Sequence, residues 1–367
     1  MLYKVIGLMS GSSLDGLDMV YVQLQEVAGK WTYEIQHTAC YTYDPEWIKK
    51  LENATSLSAL EYQLLHTEYG NFIGEQVNRF IEEKKLYYQV QLISSHGHTT
   101  FHIPQKKMTA QLGDGAAIAA AASINVISDL RSMDIALGGQ GAPIIPIGEK
   151  LLMDGYNFFL NLGGIANIST HVMGDDIVAF DICPANRVLN MLAQEAGKQF
   201  DENGKMAAAG SVNEPLLEKL DQFAFYKLSY PKSLANDFGV KEVYPMIKEA
   251  QCNTPDALRT YTEHICIQVG HSVEKLLNDF KFSTSGLRLL ATGGGAHNIF
   301  LVERLKKILK PLQIKVAIPE TTLIDYKEAL VIALIGVLRW REENNVLSSV
   351  TGASRSSVGG AVWIGQD

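Results

Sequence analysis

The chain has 367 residues, 47% hydrophobic and 20% charged, enough to bury two cores and too apolar for a disordered polypeptide. Its 32 Lys and Arg stand against 40 Asp and Glu, a net charge of −8. That balance excludes a general electrostatic attraction to DNA or RNA and leaves anionic ligands to local donors.

In chain order, a β-rich run at residues 4–8 leads through a glycine-rich turn, 9–16, to strands at 19–24 and 32–42. A helix is predicted at about 57–83, with Leu60, Leu64 and Tyr69 spaced for one face. Strand 90–94, helix 115–122 and strand 125–128 follow. The second half restarts in the same way. Strand 157–160, turn 161–166 and strands 167–171 and 176–181 precede helices at 184–196, 214–223 and 255–280. Strand 287–291, helix 297–310, strand 314–318 and helix 325–341 complete it. Three meandering strands and then alternating helix and strand, built twice, predict two α/β domains with mixed sheets. Two such domains facing each other leave a cleft for a ligand.

Seven segments carry candidate chemistry. Gly7-Leu-Met-Ser-Gly-Ser-Ser-Leu-Asp-Gly-Leu-Asp18 holds more glycine, serine and aspartate than a plain hairpin needs. Its N–H groups and hydroxyls suit phosphate, and Asp15 or Asp18 suits Mg²⁺. It joins two strands, unlike a P-loop. Leu160-Asn-Leu-Gly-Gly-Ile-Ala-Asn-Ile168 is the matching turn, where Gly163 and Gly164 permit close phosphate approach or make an ordinary hairpin. In Leu290-Ala-Thr-Gly-Gly-Gly-Ala-His-Asn298, Gly293, Gly294 and Gly295 open a helix. They suit an anion or nucleotide, or form a flexible connection. His96, His98 and His102 invite a metal, but no nearby carboxylate or cysteine pair completes a set, so a polar loop is preferred. After the strand at 125–128, Arg131 is a bidentate donor for a substrate carboxylate; a surface pair with Asp129 is the simpler alternative. The run Gly138-Gly-Gln-Gly-Ala-Pro143 suits a hinge. Asp181 stands where a strand gives way to a helix, placed for general-base work or, more simply, for helix capping. Glu328 falls in the first turn of an apolar helix, serving the helix dipole or a reaction centre.

The longest apolar run, residues 329–338, is half the ~20 residues a membrane span needs. The N-terminus meets Gly7, Ser10 and Asp15 too early for a signal peptide. Cys40, Cys183, Cys252 and Cys266 are scattered, as expected of a reducing cytoplasm.

Taken together, these segments resemble the anhydro-N-acetylmuramic acid kinase family of the actin-like sugar kinase ATPases. The resemblance runs from Gly7 to about Gly360. Its markers include the first turn, Ser95-His-Gly97, Gly113-Asp-Gly-Ala-Ala-Ile118, Gly138 to Pro143, Asn161 to Ser169, Pro231-Lys-Ser233, the triple glycine, Glu328-Ala329 and Val350-Thr-Gly-Ala353. It implies an actin-like ATPase fold of two ribonuclease-H-like α/β domains around a central cleft. The expected division is 1–130 plus about 345–367, with the first phosphate loop, and 131–344, with the catalytic Asp. The family opens 1,6-anhydro-N-acetylmuramic acid hydrolytically and phosphorylates O6 from ATP, with Mg²⁺, in peptidoglycan recycling.

By resemblance, Asp181, opening Asp181-Ile-Cys-Pro-Ala-Asn186, is the catalytic base, and Glu328 the second catalytic carboxylate. This reverses the capping preference. Gly11, Ser12, Ser13, Leu14, Asp15, Gly16, Leu17 and Asp18 match the ATP-binding segment, joined by Gly163, Gly164, Gly293, Gly294 and Gly295. The sugar is expected against Asp181, Glu328, His98, Asp129 and Arg131. A cytoplasmic homodimer without nucleic-acid or membrane partners is implied. Here His98 replaces the family's usual Gln, Ile182 and Cys183 replace two small residues, Leu234-Ala-Asn-Asp237 replaces Thr-Gly-Arg-Glu, and Asn161 stands where the superfamily often has Asp. The altered loops leave a kinase of another 1,6-anhydrosugar as an alternative, with a silent sugar or nucleotide sensor as a different class. A metal hydrolase built on the three histidines is more distant.

Overall fold

The structure is a computed structural model that describes residues 1–11, 13–171, 177–235, 237–282 and 286–365. Contacts divide the chain into two compact units, Met1–Asp154 with Tyr326–Asp367, and Gly155–Asp325. The expected division at 130 and 344 is therefore displaced. Residues 131–154 and 326–344 belong to the first unit, because their side chains find partners there: Arg131 on His96, and Lys327 on Glu149.

The first unit holds β1 (Leu2–Ser10), β2 (Leu17–Val27), β3 (Lys30–Tyr41), β4 (Leu92–Ile103), β5 (Met108–Leu112) and β6 (Val126–Ser128). Their order is β3-β2-β1-β4-β6, with β5 paired to β4 and the strand Ala361–Trp363 beyond β6. β1 is antiparallel to β2 and parallel to β4. Val5, Ile6 and Leu8 are fully buried, as a central strand covered on both faces requires.

The second unit holds β7 (Phe158–Leu162), β8 (Ile165–His171), β9 (Ile177–Pro184), β10 (Arg288–Thr292) and β11 (Lys315–Ala317), in the order β9-β8-β7-β10-β11. In each unit a three-strand meander is followed by strands parallel to its first strand. This is the mixed α/β order expected twice from the sequence.

Helix ends follow local chemistry. Ser58 and Glu61 form a capping box on the helix Ala59–Lys84. Asn253 caps Thr254–Phe280 from the residue before Pro255 is reached. In Ala59–Lys84 the buried face is Leu65, Tyr69, Ile73, Val77 and Phe80; Leu60 and Leu64 are exposed. The expected face was thus rotated: the i, i+4 ladder from Leu65 places Leu60 and Leu64 outside it. The helix Pro45–Asn53, β5 and the strand Ala361–Trp363 were not anticipated. Among the described residues no helix is long and apolar enough to cross a membrane.

The helix Thr321–Trp340 is apolar over residues 329–338 because it is buried on all sides there. It packs directly on β1: a Cβ at Gly7 would lie 2.0 Å from the Ala329 carbonyl oxygen and 2.9 Å from Ala333 Cβ. Gly7→Ala is therefore expected to destabilise the protein by about 3 kcal/mol or more, since backbone must move to admit the methyl. Denaturant unfolding would read it. An unchanged midpoint would show that the helix can shift freely.

Candidate functional site

In the first unit, β1 ends at Ser10 and β2 begins at Leu17. Leu14 takes the left-handed conformation, its N–H 3.4 Å from the Gly11 carbonyl, and Ser13 Oγ donates to Asp15 Oδ1 at 2.7 Å. Gly11 has room on its Cα, with only Ser13 near. Gly16 does not: a Cβ would strike Cys40 and the Tyr41 backbone, so this glycine serves the close β2–β3 pairing. Asp18 lies on β2 and holds the neighbouring Cys40 thiol protonated; burial first, then Asp18, pushes that thiol up to about 12. Ser12 lies outside the described residues.

The polar end of β4 is tightly organised. His96 Nε2 accepts from Arg131 Nε at 2.9 Å, and Arg131 Nη1 donates to the Gly141 carbonyl at 2.7 Å. The alternative of an Asp129–Arg131 surface pair is not seen among the described residues. Asp129, in the left-handed region, instead accepts from Ser132 Oγ. Burial lowers the Arg131 guanidinium only to about 10, so it stays charged at neutral pH. Burial and the Arg131 charge drive His96 down to about 3; burial alone takes His98 to about 4. Both imidazoles are neutral at pH 7. His98 Nδ1 lies 3.1 Å from Ser10 Oγ, and His102 Nδ1 lies 3.3 Å from Thr109 Oγ1. The three histidines thus have separate partners. Among the described residues no three His, Cys, Asp or Glu side chains converge on a metal position.

Within residues 138–143, Gln140 and Gly141 are held by hydrogen bonds. The buried Asp134 carboxylate accepts from Gly141 N–H and Thr351 Oγ–H, each at 2.7 Å, and Gln140 N–H donates to the Thr351 carbonyl. Glu328 is not in a first turn. Its helix begins at Thr321, four residues earlier than the sequence suggested, so the helix-dipole account fails. Burial holds its carboxyl above the ordinary range, against the pull of Lys327 and Arg131. Lys327 Nζ meets Glu149 Oε1 at 2.9 Å, and both side chains are about 5% exposed or less.

In the second unit, Asp181 lies inside β9, paired with Asn167, and caps no helix. Ala185 occupies the cap position of Asn186–Glu195. The segment after Pro231 holds Asp181 in place. Asp181 N–H donates to the Lys232 carbonyl, and Asp181 Oδ2 accepts from Leu234 N–H at 2.8 Å and Ser233 Oγ–H at 3.1 Å. Oδ1 has no partner among the described residues. Burial raises this carboxyl, and the two donors offset part of the rise.

Lys232 Nζ donates to the Phe225 carbonyl at 3.2 Å and lies 4.5 Å from that ring's centroid. The next residue, Tyr226, meets the wholly buried His264, whose Nδ1 is 2.6 Å from Asp221. This Asp–His–Tyr chain escaped the sequence reading because its members are up to 43 residues apart.

The two glycine turns of this unit touch. Asn186 Nδ2 donates to the Leu162 carbonyl, while Ala185 and Asn186 N–H donate to the Gly164 and Gly163 carbonyls. A Cβ on Gly293 would meet Asn161 Oδ1 at 2.4 Å, and one on Gly295 would meet Leu162 Cβ at 2.7 Å. Those two glycines are required by this packing. Gly163, Gly164 and Gly294 have more room, their nearest neighbours 3.3 Å or more away. Asn186 was quoted in the sequence as part of the Asp181 segment, but only the fold shows it joining both turns.

The family model for anhydro-N-acetylmuramic acid kinase matches residues 3–365. A protein of that name from Sulfurovum sp. is 31% identical over 371 residues, covering 98% of this chain and 99% of its own. Its namesake from Shewanella sediminis is 32% identical over 372 residues, covering 98% of each. Among solved structures, the activator of the 2-hydroxyisocaproyl-CoA dehydratase from Clostridium difficile with bound ADPNP matches at a TM-score of 0.41 and 14% identity. That match covers 93% of this chain and 96% of the activator. On the near-complete match to the family and its relatives, this chain belongs to the anhydro-N-acetylmuramic acid kinase family.

Proposed function

We propose that the protein is an ATP-dependent kinase that opens the 1,6-anhydro bridge of N-acetylmuramic acid with water and phosphorylates O6, in peptidoglycan recycling. The observation that carries the mechanism is Asp181. Two donors hold its Oδ2, leaving Oδ1 to take a proton from water attacking C1. The C1–O6 bond breaks, and O6 then attacks the γ-phosphorus of ATP, releasing ADP. Glu328 is the second catalytic carboxylate. Its raised proton affinity suits delivery of a proton to the departing O6 and, once ionised, recovery of that proton as the O6 hydroxyl attacks phosphorus.

Arg131, His98 and Asp129 bind the sugar. Arg131 supplies a charge for the lactyl carboxylate while His96 and the Gly141 carbonyl fix its plane. In the first unit, the candidate ATP-binding segment is Gly11, Ser12, Ser13, Leu14, Asp15, Gly16, Leu17 and Asp18; in the second unit, Gly163, Gly164 and residues 293–295 are candidate ATP-binding positions. Of these, the uncrowded Gly11, Gly163, Gly164 and Gly294 are the positions open to a phosphate. The carboxylates of Asp15 and Asp18 are the hard oxygen donors that Mg²⁺ prefers; bound there, it would offset phosphate charge. A cytoplasmic homodimer completes the reading; the four free cysteines suit a reducing compartment.

The test is ADP release with 1,6-anhydro-N-acetylmuramic acid, with phosphate located on the product. One phosphate on O6 per ADP is expected. Turnover only with another anhydrohexose would move the substrate, and ADP release without sugar phosphorylation would sink the reading.

A further inference from the structure

β9 is the edge strand of its sheet, and the segment after Pro231 runs along that edge as a strap. Asp181 N–H donates to the Lys232 carbonyl, and Ser233 and Leu234 supply the two donors to Asp181 Oδ2. The pairing of β8 with β9 shifts register between Ala166 and Asn167, the latter opposite Asp181, and such an irregularity re-aims a side chain. Other contacts hold the strap independently of Asp181. The Tyr230 ring stacks on Phe180 at 5.3 Å, and its hydroxyl donates to Asp279 Oδ2 at 2.8 Å. The Lys232 ammonium lies 4.5 Å from the centroid of Phe225 and 6.0 Å from that of Phe180, and donates to the Phe225 carbonyl at 3.2 Å. Phe225 is fixed in turn through its neighbour, since Tyr226 meets the buried His264 and, beyond it, Asp221. Among the described residues no carboxylate pairs with Lys232; burial lowers its proton affinity, opposed by Cys183 and helped by Lys275. An ammonium drawn partly out of water without a counter-charge is costly, and here two rings and a carbonyl compensate it.

We infer that Lys232 is a positioning residue for Asp181: it clasps the strap to Phe225 and Phe180 and so keeps the Ser233 and Leu234 donors on Oδ2. This deepens the preceding section and rests on its reading of Asp181 as the base. With Oδ2 held, the carboxylate cannot rotate and Oδ1 keeps one direction. Loss of the clasp frees the strap, weakens both donors to the ionised carboxylate and makes the carboxyl hold its proton more tightly. Burial, Leu234 and Ser233 account for the proton affinity of Asp181, with no part played by the Lys232 charge. A lysine that instead bound an anionic group of sugar or nucleotide would set affinity for that ligand and leave the Asp181 proton unaffected.

The experiment follows the carboxyl directly and through turnover, on the full chain. ¹³C carboxyl spectra titrated with pH, with Asp181 assigned from Asp181→Asn, read its protonation in each variant. In Lys232→Met the Asp181 titration should move up by about 0.5–1 pH unit. The acid limb of kcat/KM should move with it, and kcat should fall about tenfold while the sugar and ATP KM stay within about twofold. Phe225→Leu keeps the lysine and its charge but removes the ring beneath it, so the titration should move in the same direction by less. Lys232→Arg keeps a cation, a donor and the ring contact, and should return the titration and kcat to near wild type.

An unchanged Asp181 titration in Lys232→Met, or in Phe225→Leu where the lysine variant does not fold, overturns the proposal. A rise of about tenfold or more in the sugar or ATP KM of Lys232→Met, with the titration unmoved, assigns the lysine to an anionic ligand and overturns it as well. Absence of anhydrosugar-dependent turnover in the wild type would sink the kinase reading alone, while the carboxyl titration would still decide whether Lys232 holds the two donors.

Discussion

Asp181→Asn is expected to lower sugar-dependent kcat by about 10²–10⁴-fold, the usual loss on removing a positioned general base. The substitution keeps the shape of the side chain. Its amide oxygen can still accept from Leu234 N–H and Ser233 Oγ–H, so loop and strand should stay in register. Stability should not fall with activity. Burial raises the folded-state pKa of Asp181 above its unfolded value, so the unfolded chain binds fewer protons once pH exceeds the unfolded value. The ionised wild type therefore carries a penalty that is fully present above the folded pKa, and Asn removes it. A thermal midpoint at pH 7 equal to or above wild type, with collapsed turnover, is the expected pair of results.

The same carboxylate is expected to set the acid limb of kcat/KM, which should lie above the ordinary carboxylate range and rise with pH. Ser233→Ala removes a donor to the ionised form and should move that limb further up. A limb that does not move, or turnover that survives Asp181→Asn, would place the base elsewhere, with Glu328 the next candidate.

Breaking the Lys327–Glu149 pair should have the largest effect on stability. Glu149→Leu leaves a buried ammonium without its partner and is expected to cost about 3–5 kcal/mol in denaturant unfolding. The double substitution Glu149→Leu with Lys327→Met removes both charges and should recover most of that loss, because the desolvation cost of each ion disappears with the pair. If the double variant is as unstable as the single one, shape and not charge governs the site. Lys327 also draws the neighbouring Glu328 carboxyl downward, so the double variant separates stability from activity: a refolded protein with lowered kcat would place the lysine's role in catalysis.

The legible part of the site was the part written in adjacent residues. The three glycine turns stand out because phosphate approach and tight turning demand glycine locally. Even there, only the structure separates Gly293 and Gly295, which pack against residues 161–162 and Asn186, from the uncrowded Gly163 and Gly164. Asp181 shows the opposite case. Its segment alone favours helix capping, and only resemblance argued for catalysis. The structure removes the capping account by extending β9 to Pro184, and supplies donors from residues 52 and 53 positions further on. Glu328 was misplaced within its helix because Thr321 and Thr322 give no strong start signal, while burial of residues 329–338 drives helix formation from the other end. Leu60 and Leu64 fitted a helical face equally well on paper. Periodicity identifies a stripe, not which stripe a sheet will cover.

By itself, the sequence determined the alternation of strands and helices, its repetition in two halves, and the local turns. Periodicity, glycine and capping residues act within a few positions of themselves. Tertiary structure alone decided where the units divide, which glycines are crowded, and how Arg131, Asp181 and His98 are held. Those outcomes depend on partners tens to hundreds of residues away, such as Thr351 on Asp134 and Glu149 on Lys327. Desolvation then sets the charge states of these groups, and burial is a property of the folded chain that no short segment carries.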